Sequence, residues 1–384
     1  MKPSSRSLLS LYLMGGFGHI KPAQALVEQF HKLGIHGVSY DPFSPDGSPT
    51  KETANLYNFI TTSPFLSPFW NLISRHDLLP AAIFEPGHAL EILANLKVIQ
   101  RLKRLGLDRH LIITATHWTP ALLAAHAFPH TPIFLYVTDI HPHGLWKTTP
   151  KNIHYLVPME ETKIDILRYG MDSDRVTICS FPIHNEILTN NQARHLRRLN
   201  TLRRKRPEKI DVLIISGGAG TGRQQMRHLI DKFSHPAKTN QVKVTFLVST
   251  PQLEVDLISY CAKIKTHKAE IFVDRYTPHS LYPALTHAEI LITKAGGDIT
   301  FEALAEGLPI YCLKDVGDHE RLNRQYLELI GAARPLFLSQ QPWQQIESDI
   351  LSEEILLMTQ ASHRHGAFHR RSTTPKVILN FLKH

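Results

Sequence analysis

Three apolar runs in this chain end in glycine-rich turns that lead into helical patterns, and this repeat constrains the fold most. Residues 8–14 run into Gly15, Gly16, Phe17 and Gly18, and residues 211–216 run into Gly217, Gly218, Ala219 and Gly220. Residues 290–293 run into Lys294, Ala295, Gly296 and Gly297. A strand that is apolar along its whole length is buried on both faces, as in a parallel sheet covered by helices. Further strands are expected at 111–114, 133–138 and 155–157, with helical patterns at 89–105 and 160–169. The alternation restarts after residue 209, with strands at 211–216, 242–249, 270–273, 290–293 and 309–313. The pattern predicts an α/β protein of two successive units, and 384 residues are enough for two domains. The expected division is a first domain over 1–187, a basic linker over 188–209, a second domain over 210–365 and a C-terminal helix over 366–384.

The first 25 residues have a competing reading. Lys2 and Arg6 precede the apolar run, and Ala23-Gln24-Ala25 imitates the cleavage site of a signal peptide. The run is only seven residues long, however, and Gly15, Gly16, Gly18, His19 and Lys21 interrupt the path to that site. A strand, a glycine loop and a helix from about Pro22 to Leu33, closed by Gly34, fit better. No apolar run approaches the ~18 residues that span a bilayer. Cys179, Cys261 and Cys312 lie far apart without CxxC spacing, which excludes a disulfide framework or a cysteine-built metal site and makes a reducing cytosol the default.

The formal charge of +9 is unevenly distributed. Residues 194–209 hold eight basic groups against one acid, whereas the stretches on either side are each within one charge of neutrality. A nucleic-acid-binding role for the basic run lacks interleaved aromatics for stacking on bases, so a solvated linker is expected there. The segment 56–73 carries Tyr57, Phe59, Phe65, Phe69 and Trp70, and the following helix carries Lys97, Arg101, Lys103 and Arg104. Together they suit insertion into, and attraction to, an anionic lipid surface. Packing against the first sheet is the alternative.

Glycine turns after strands let backbone N–H groups approach a phosphate, with the next helix adding its dipole. The spacings match neither GxGxxG nor GxxxxGK[ST], so no dinucleotide or P-loop site is implied. Residues 292–309 are the most informative: a strand ends at Lys294, Gly296 and Gly297 turn the chain, and a helix runs to Glu306. Glu302, in the first turns of that helix, is either a dipole partner or an acceptor for a ribose diol. His141-Pro142-His143 and His363-Arg364-His365 lack the helical HxxxH geometry of a metal site, so no metal is expected.

This block, followed by Asp318-His319-Glu320-Arg321-Leu322-Asn323, resembles the donor-nucleotide site of inverting UDP-sugar glycosyltransferases of the GT-B type. The resemblance is strongest to their glycolipid branch, the monogalactosyldiacylglycerol synthases and bacterial diacylglycerol glucosyltransferases. The lipid-I GlcNAc transferase is a more distant relative. Thr138-Asp139-Ile140-His141-Pro142-His143-Gly144-Leu145-Trp146 matches the branch's TDxxxHxxW. Pro158-Met159-Glu160-Glu161 and Phe181-Pro182-Ile183 resemble its "PSEE" and "GxPI", and Gly15 to His19 its N-terminal glycine loop. Ser180 departs from the usual glycine, and Asp318-His319 from the usual Gly-Gln that reads the donor sugar.

The resemblance implies two Rossmann-like domains facing across a cleft, with a C-terminal helix that crosses back to the first. It implies transfer of galactose or glucose from a UDP-sugar to a lipid such as diacylglycerol, with inversion, without a metal and without a cofactor. Donor contacts would come from Gly217, Gly218, Gly220, Gly296 and Gly297 to the diphosphate, and from Glu302 to the ribose. Arg275 and Tyr276 would lie at the uracil, and His319 and Glu320 at the sugar hydroxyls. Gly16, Gly18, His143 and Trp146 would bind the acceptor, although a lone tryptophan more often packs a core. The catalytic candidates are His19 and Asp139. His19 is preferred as general base, with Asp139 as its partner or an acceptor-binding group; a loop cap and a backbone acceptor are the plainer roles. Expected partners are the UDP-sugar, the lipid and an anionic membrane, not nucleic acid. The expected location is the cytoplasm, peripheral on the cytoplasmic face of the membrane. A UDP-GlcNAc 2-epimerase shares the architecture and is the alternative enzyme.

Overall fold

The computed structural model describes residues 6–13, 17–44, 92–93, 95–105, 111–204, 209–215, 223–234, 241–264, 269–315, 318–338 and 341–383. The chain divides into two compact units: residues 1–185 with 317–319 and 368–384, and residues 186–316 with 320–367.

The first unit is built on strands β1 (Ser7–Leu11), β2 (His36–Tyr40), β3 (Leu111–Ala115), β4 (Ile133–Tyr136), β5 (Ile153–Val157) and β6 (Val176–Ile178). They form one sheet in the order β2-β1-β3-β4-β5-β6, and every pairing is parallel. Among the described residues, helices α1 (Phe17–His31), α2 (Leu96–Arg104), α3 (Trp118–Ala127) and α4 (Glu160–Arg168) connect them. Leu9, Leu11, Ile113, Leu135 and Tyr155 form the centre of its core.

In the second unit, α5 (Asn185–Leu188) and α6 (Asn191–Leu202) precede β7 (Lys209–Ile215), α7 (Arg223–Ser234), β8 (Gln241–Val248), α8 (Pro251–Cys261) and β9 (Ala269–Arg275). Then follow α9 (Pro278–His287), β10 (Ile290–Thr293), α10 (Gly297–Glu306), β11 (Ile310–Cys312), α11 (Asp318–Leu329), β12 (Ala333–Pro335), α12 (Pro342–Leu351) and α13 (Glu354–Gly366). The sheet order is β12-β11-β10-β7-β8-β9, again all parallel.

The last helix, α14 (Thr374–Phe381), rejoins the first unit. Phe381 meets Phe134 edge-on at 5.4 Å and lies 4.2 Å from the His154 ring. Ser180 and Thr373 clasp each other: the Ser180 N–H donates to Thr373 Oγ1 at 2.9 Å and the Thr373 N–H donates to Ser180 Oγ at 2.6 Å. Ser180 thus supplies an acceptor that anchors the C-terminal segment.

Several expectations are corrected. The first helix starts at Phe17, not near Pro22, so Pro22 lies inside it and the Gly18 carbonyl loses its helical donor. The basic stretch 188–209 is not a solvated linker, because residues 191–202 form α6, inside the second unit. Arg198, which is fully buried, reaches Glu306 at 3.1 Å, and Arg194 reaches the same carboxylate at 2.6 Å. Of the proposed membrane-facing features, segment 56–73 lies outside the described residues. On α2, Lys97, Lys103 and Arg104 are exposed, but Arg101 donates to the Pro42 and Ser44 carbonyls at 3.0 and 2.7 Å. No helix among the described residues is long and apolar enough to cross a membrane.

Candidate functional site

Each sheet order marks where a ligand belongs. In the first unit the chain leaves β1 toward β2 and leaves β3 toward β4, so the loops after these adjacent strands part in opposite directions. The crevice this opens at the carboxyl ends of the strands is the usual binding place of an open parallel sheet. In the second unit the same reversal occurs between β7 and β10.

His19, in the first turn of α1, stands at the first crevice. Its Nδ1 lies 2.7 Å from the Thr116 carbonyl oxygen, just beyond β3. A carbonyl only accepts, so in the neutral ring Nδ1 carries the proton and Nε2 carries the lone pair. Thr116 Oγ1 donates in return to the His19 carbonyl at 2.7 Å, and Thr138 Oγ1 lies 3.3 Å from Nδ1. The ring is therefore held in the tautomer a proton acceptor needs.

The neighbouring rings come from the same turn. His117 caps α3, its Nδ1 accepting the Thr119 N–H at 3.1 Å. Its ring stacks on Trp118 at 3.7 Å and meets His19 edge-on at 4.7 Å. Burial, reinforced by repulsion from His19 and His143, holds its pKa well below the usual histidine range. Trp118 in turn meets His143 edge-on at 5.0 Å and Trp146 at 5.4 Å.

Two sequence expectations change here. Asp139 is half-buried and makes no hydrogen bond among the described residues, so it is not what orients His19; the Thr116 carbonyl does that. Trp146 is fully buried within the core, which leaves it no face for an acceptor. His141 is tied to Asp165 at 2.8 Å and His363 stacks on His195 at 3.7 Å. Among the described residues no group of three or more potential metal ligands occurs.

At the second crevice β10 ends in Lys294, whose carbonyl accepts the Gly296 N–H at 2.7 Å. Gly296 caps α10, and no side chain caps the helix. The first-turn amides and the helix dipole thus favour an anion. From Asp298 to Glu306 every residue of α10 is buried, including Glu302. Asn323, on α11, is fully buried and its Nδ2 donates to the Ala295 carbonyl at 2.9 Å. Asn323 Oδ1 and Thr300 Oγ1 are buried without a hydrogen-bond partner among the described residues.

Lys294 is 5% exposed, and its side chain makes no ion pair among the described residues. Desolvation lowers its pKa, and the charge of Glu320 opposes that shift.

The other expected donor contacts are dispersed. Tyr276 is buried just past β9, its N–H donating to the Val248 carbonyl at 2.9 Å. Arg275, half-buried, stands 3.9 Å from Glu254. Gly297 opens α10, and His319 and Glu320 fall in the first turn of α11. Gly16, Gly217, Gly218 and Gly220 lie outside the described residues, while Gly18 is half-buried in the first turn of α1. Thr116, His117, Trp118, Lys294, Thr300 and Asn323 were not among the expected site residues. A histidine three residues before a proline, at a strand's end, was the sequence signal for the α3 cap.

No protein-family model matches the chain. It is distantly homologous to the processive diacylglycerol beta-glucosyltransferase of Staphylococcus aureus (strain JH9), 23% identical over 338 residues, covering 86% of this chain and 81% of the relative. The MurG structure from Acinetobacter baumannii covers 99% of this chain and 100% of its own, with a TM-score of 0.54 and 16% identity. UDP-GlcNAc 2-epimerase from Neisseria meningitidis, solved bound to UDP-GlcNAc, covers 99% and 100%, with a TM-score of 0.56 and 13% identity. The fold is GT-B, with two Rossmann-like domains.

Proposed function

With the GT-B fold and a distant glucosyltransferase homologue as premises, we propose that this chain is an inverting glycosyltransferase acting on a lipid. It moves a hexose, glucose or galactose, from a UDP-sugar to an acceptor hydroxyl such as that of diacylglycerol. The acceptor oxygen attacks the anomeric carbon, His19 Nε2 takes its proton, and the bond from that carbon to the UDP oxygen breaks. At the anomeric carbon one C–O bond forms and one breaks while the acceptor proton passes to His19 Nε2, and inversion follows from the single displacement. UDP leaves toward the amides and dipole at the start of α10, a preorganised oxyanion-type stabilisation. The residues expected at the donor, including Glu302 for the ribose, keep that assignment here.

The observation that best supports this reading is the bond from His19 Nδ1 to the Thr116 carbonyl, which in the neutral ring puts the lone pair on Nε2. The lipid acceptor is supported by the name of the homologue. Contact with an anionic membrane, through Lys97, Lys103 and Arg104, belongs to the same reading and is tested by flotation with anionic and neutral liposomes. Flotation that does not depend on anionic lipid removes it.

The test of the whole reading is UDP release from UDP-glucose, UDP-galactose and UDP-GlcNAc, with and without diacylglycerol. Lipid-dependent release is the expected result, and no turnover of any donor would sink the proposal. The epimerases share this fold, so the same incubations are followed by NMR for 2-epimerised GlcNAc. Its appearance without lipid would select that reaction instead.

A further inference from the structure

Lys294 is a cation in an unusual position. It is 5% exposed, yet no carboxylate lies within salt-bridge distance of it among the described residues. A buried ammonium is costly to desolvate, and proteins normally pair it. Its surroundings repeat the pattern. Thr300 Oγ1, one turn into α10, and Asn323 Oδ1, whose own amide is anchored to the Ala295 carbonyl, are also buried without partners. Two unsatisfied polar atoms and a mostly buried ammonium without an ion pair among the described residues therefore gather around the turn from Lys294 to Thr300, at the open N-terminus of α10. An absent polar ligand with both anionic and hydrogen-bonding atoms accounts for all three.

We propose that Lys294 pairs with the diphosphate of the nucleotide donor at this turn, with Thr300 Oγ1 donating a neighbouring hydrogen bond and Asn323 Oδ1 accepting one from a hydroxyl of the donor. This rests on the donor-site reading above and adds to it a residue that holds charge rather than base or ribose. The α10 amides alone present partial charges, whereas Lys294 brings a full one. In the transfer step the same ammonium faces the charge that grows on the departing UDP as the bond to the anomeric carbon breaks. Glu320 on α11 is the carboxylate that acts electrostatically on Lys294. Asp298 and Glu302 are the carboxylates of the adjoining helix. Among the described residues none of these is within ion-pair distance of it, which leaves the cation suited to an anion from outside the protein.

The experiment is calorimetric titration of the full chain with UDP and with uridine, which keeps base and ribose but has no phosphate. Lys294→Met should weaken UDP by about ten- to a hundredfold, the loss of one charge-assisted hydrogen bond, and leave uridine within about twofold. Lys294→Arg should recover most of the UDP affinity. Without ligand, Lys294→Met should melt at the same temperature as the unmodified chain or higher, because a desolvated, unpaired charge has been removed. Absence of UDP binding to the unmodified chain would refute the donor reading itself. UDP binding that Lys294→Met leaves intact overturns the Lys294 assignment alone. Equal losses for UDP and uridine, or a lower melting temperature in the ligand-free variant, make Lys294 structural and also overturn it.

Discussion

His19 and His117 stand edge to edge, yet their nitrogens have opposite duties. His117 Nδ1 accepts a backbone N–H, and burial keeps the ring neutral. His19 Nδ1 is committed to a carbonyl, so in the neutral ring Nε2 carries the lone pair. His19→Ala should therefore lower turnover by about 10²- to 10⁴-fold, the usual range for a general base, while UDP affinity stays within about threefold. Single-turnover assays beside UDP titration check this, and a variant with near-normal turnover would move the base elsewhere. The proposal of His19 as base starts from its place after a glycine loop, which is visible in the sequence. The group orienting His19 is not, because the Thr116 carbonyl is backbone, belongs to no residue type, and lies 97 positions away. Asp139 drew attention for the complementary reason: a carboxylate after a strand is a visible pattern whether or not it touches the base.

Helix α10 shows how an element is held by groups far from it in sequence. Its last residue, Glu306, is fully buried and accepts from Arg194 and Arg198 of α6 and from Asn191. Arg198 also donates to the Ala288 and Glu306 carbonyls. Glu306→Leu would leave Arg198 buried and unpaired, at a cost of about 3–5 kcal/mol. The double variant with Arg198→Met should recover much of that loss, because it removes the stranded charge. Urea unfolding of the singles and the double measures this; a loss below about 1 kcal/mol in Glu306→Leu would mean that the network stabilises little. The other face of α10 lies so close to α13 that a Cβ on Gly366 would stand 1.9 Å from the Leu304 carbonyl oxygen. Since backbone cannot yield as a side-chain tip can, Gly366→Ala should destabilise by several kcal/mol, of the order of other severe overpacking. A melting temperature within a degree or two of the unmodified chain would refute that close approach.

The same contacts explain which elements could be read in advance. Interior strands such as β7 and β10 announce themselves as unbroken apolar runs. Edge strand β2 reads His-Gly-Val-Ser-Tyr, is largely uncovered, and gives no such signal. Helix α3 is buried from Thr119 to Ala125, so it has no polar face and no helical periodicity to detect. The charges of α6 looked like a solvated run because their partner, Glu306, lies more than 100 residues downstream.

For the molecule as a whole, the histidines of the first unit set an acid limit. His369 is buried and accepts the Phe181 N–H at 3.0 Å, so burial, aided by the Arg370 charge, brings its pKa down to about 3. His117 is depressed in the same direction. In the unfolded chain both titrate near 6.5. Below that pH the unfolded state binds protons that the folded state refuses, so stability falls as pH falls, by about 1.4 kcal/mol per pH unit for each histidine. For His369 the loss continues down to its folded pKa of about 3. The second unit contains the opposite case, since burial raises the pKa of Glu289 and Asp349. A carboxyl whose folded pKa is raised takes up its proton more readily when folded, so acidification favours that unit there. The two units should therefore separate on acidification, with the first unfolding at lower urea while the second holds. Urea titrations at pH 7.5 and 5.5, read by hydrogen exchange resolved along the chain, distinguish them. His369→Asn keeps an acceptor in place of a titrating ring, and should flatten the pH dependence of the first unit by about one proton. Because His369 lies in the segment that carries α14 back to β4, the most acid-sensitive exchange should appear there. An unchanged pH slope in His369→Asn, or a second unit that loses stability first, would refute this origin of the acid limit.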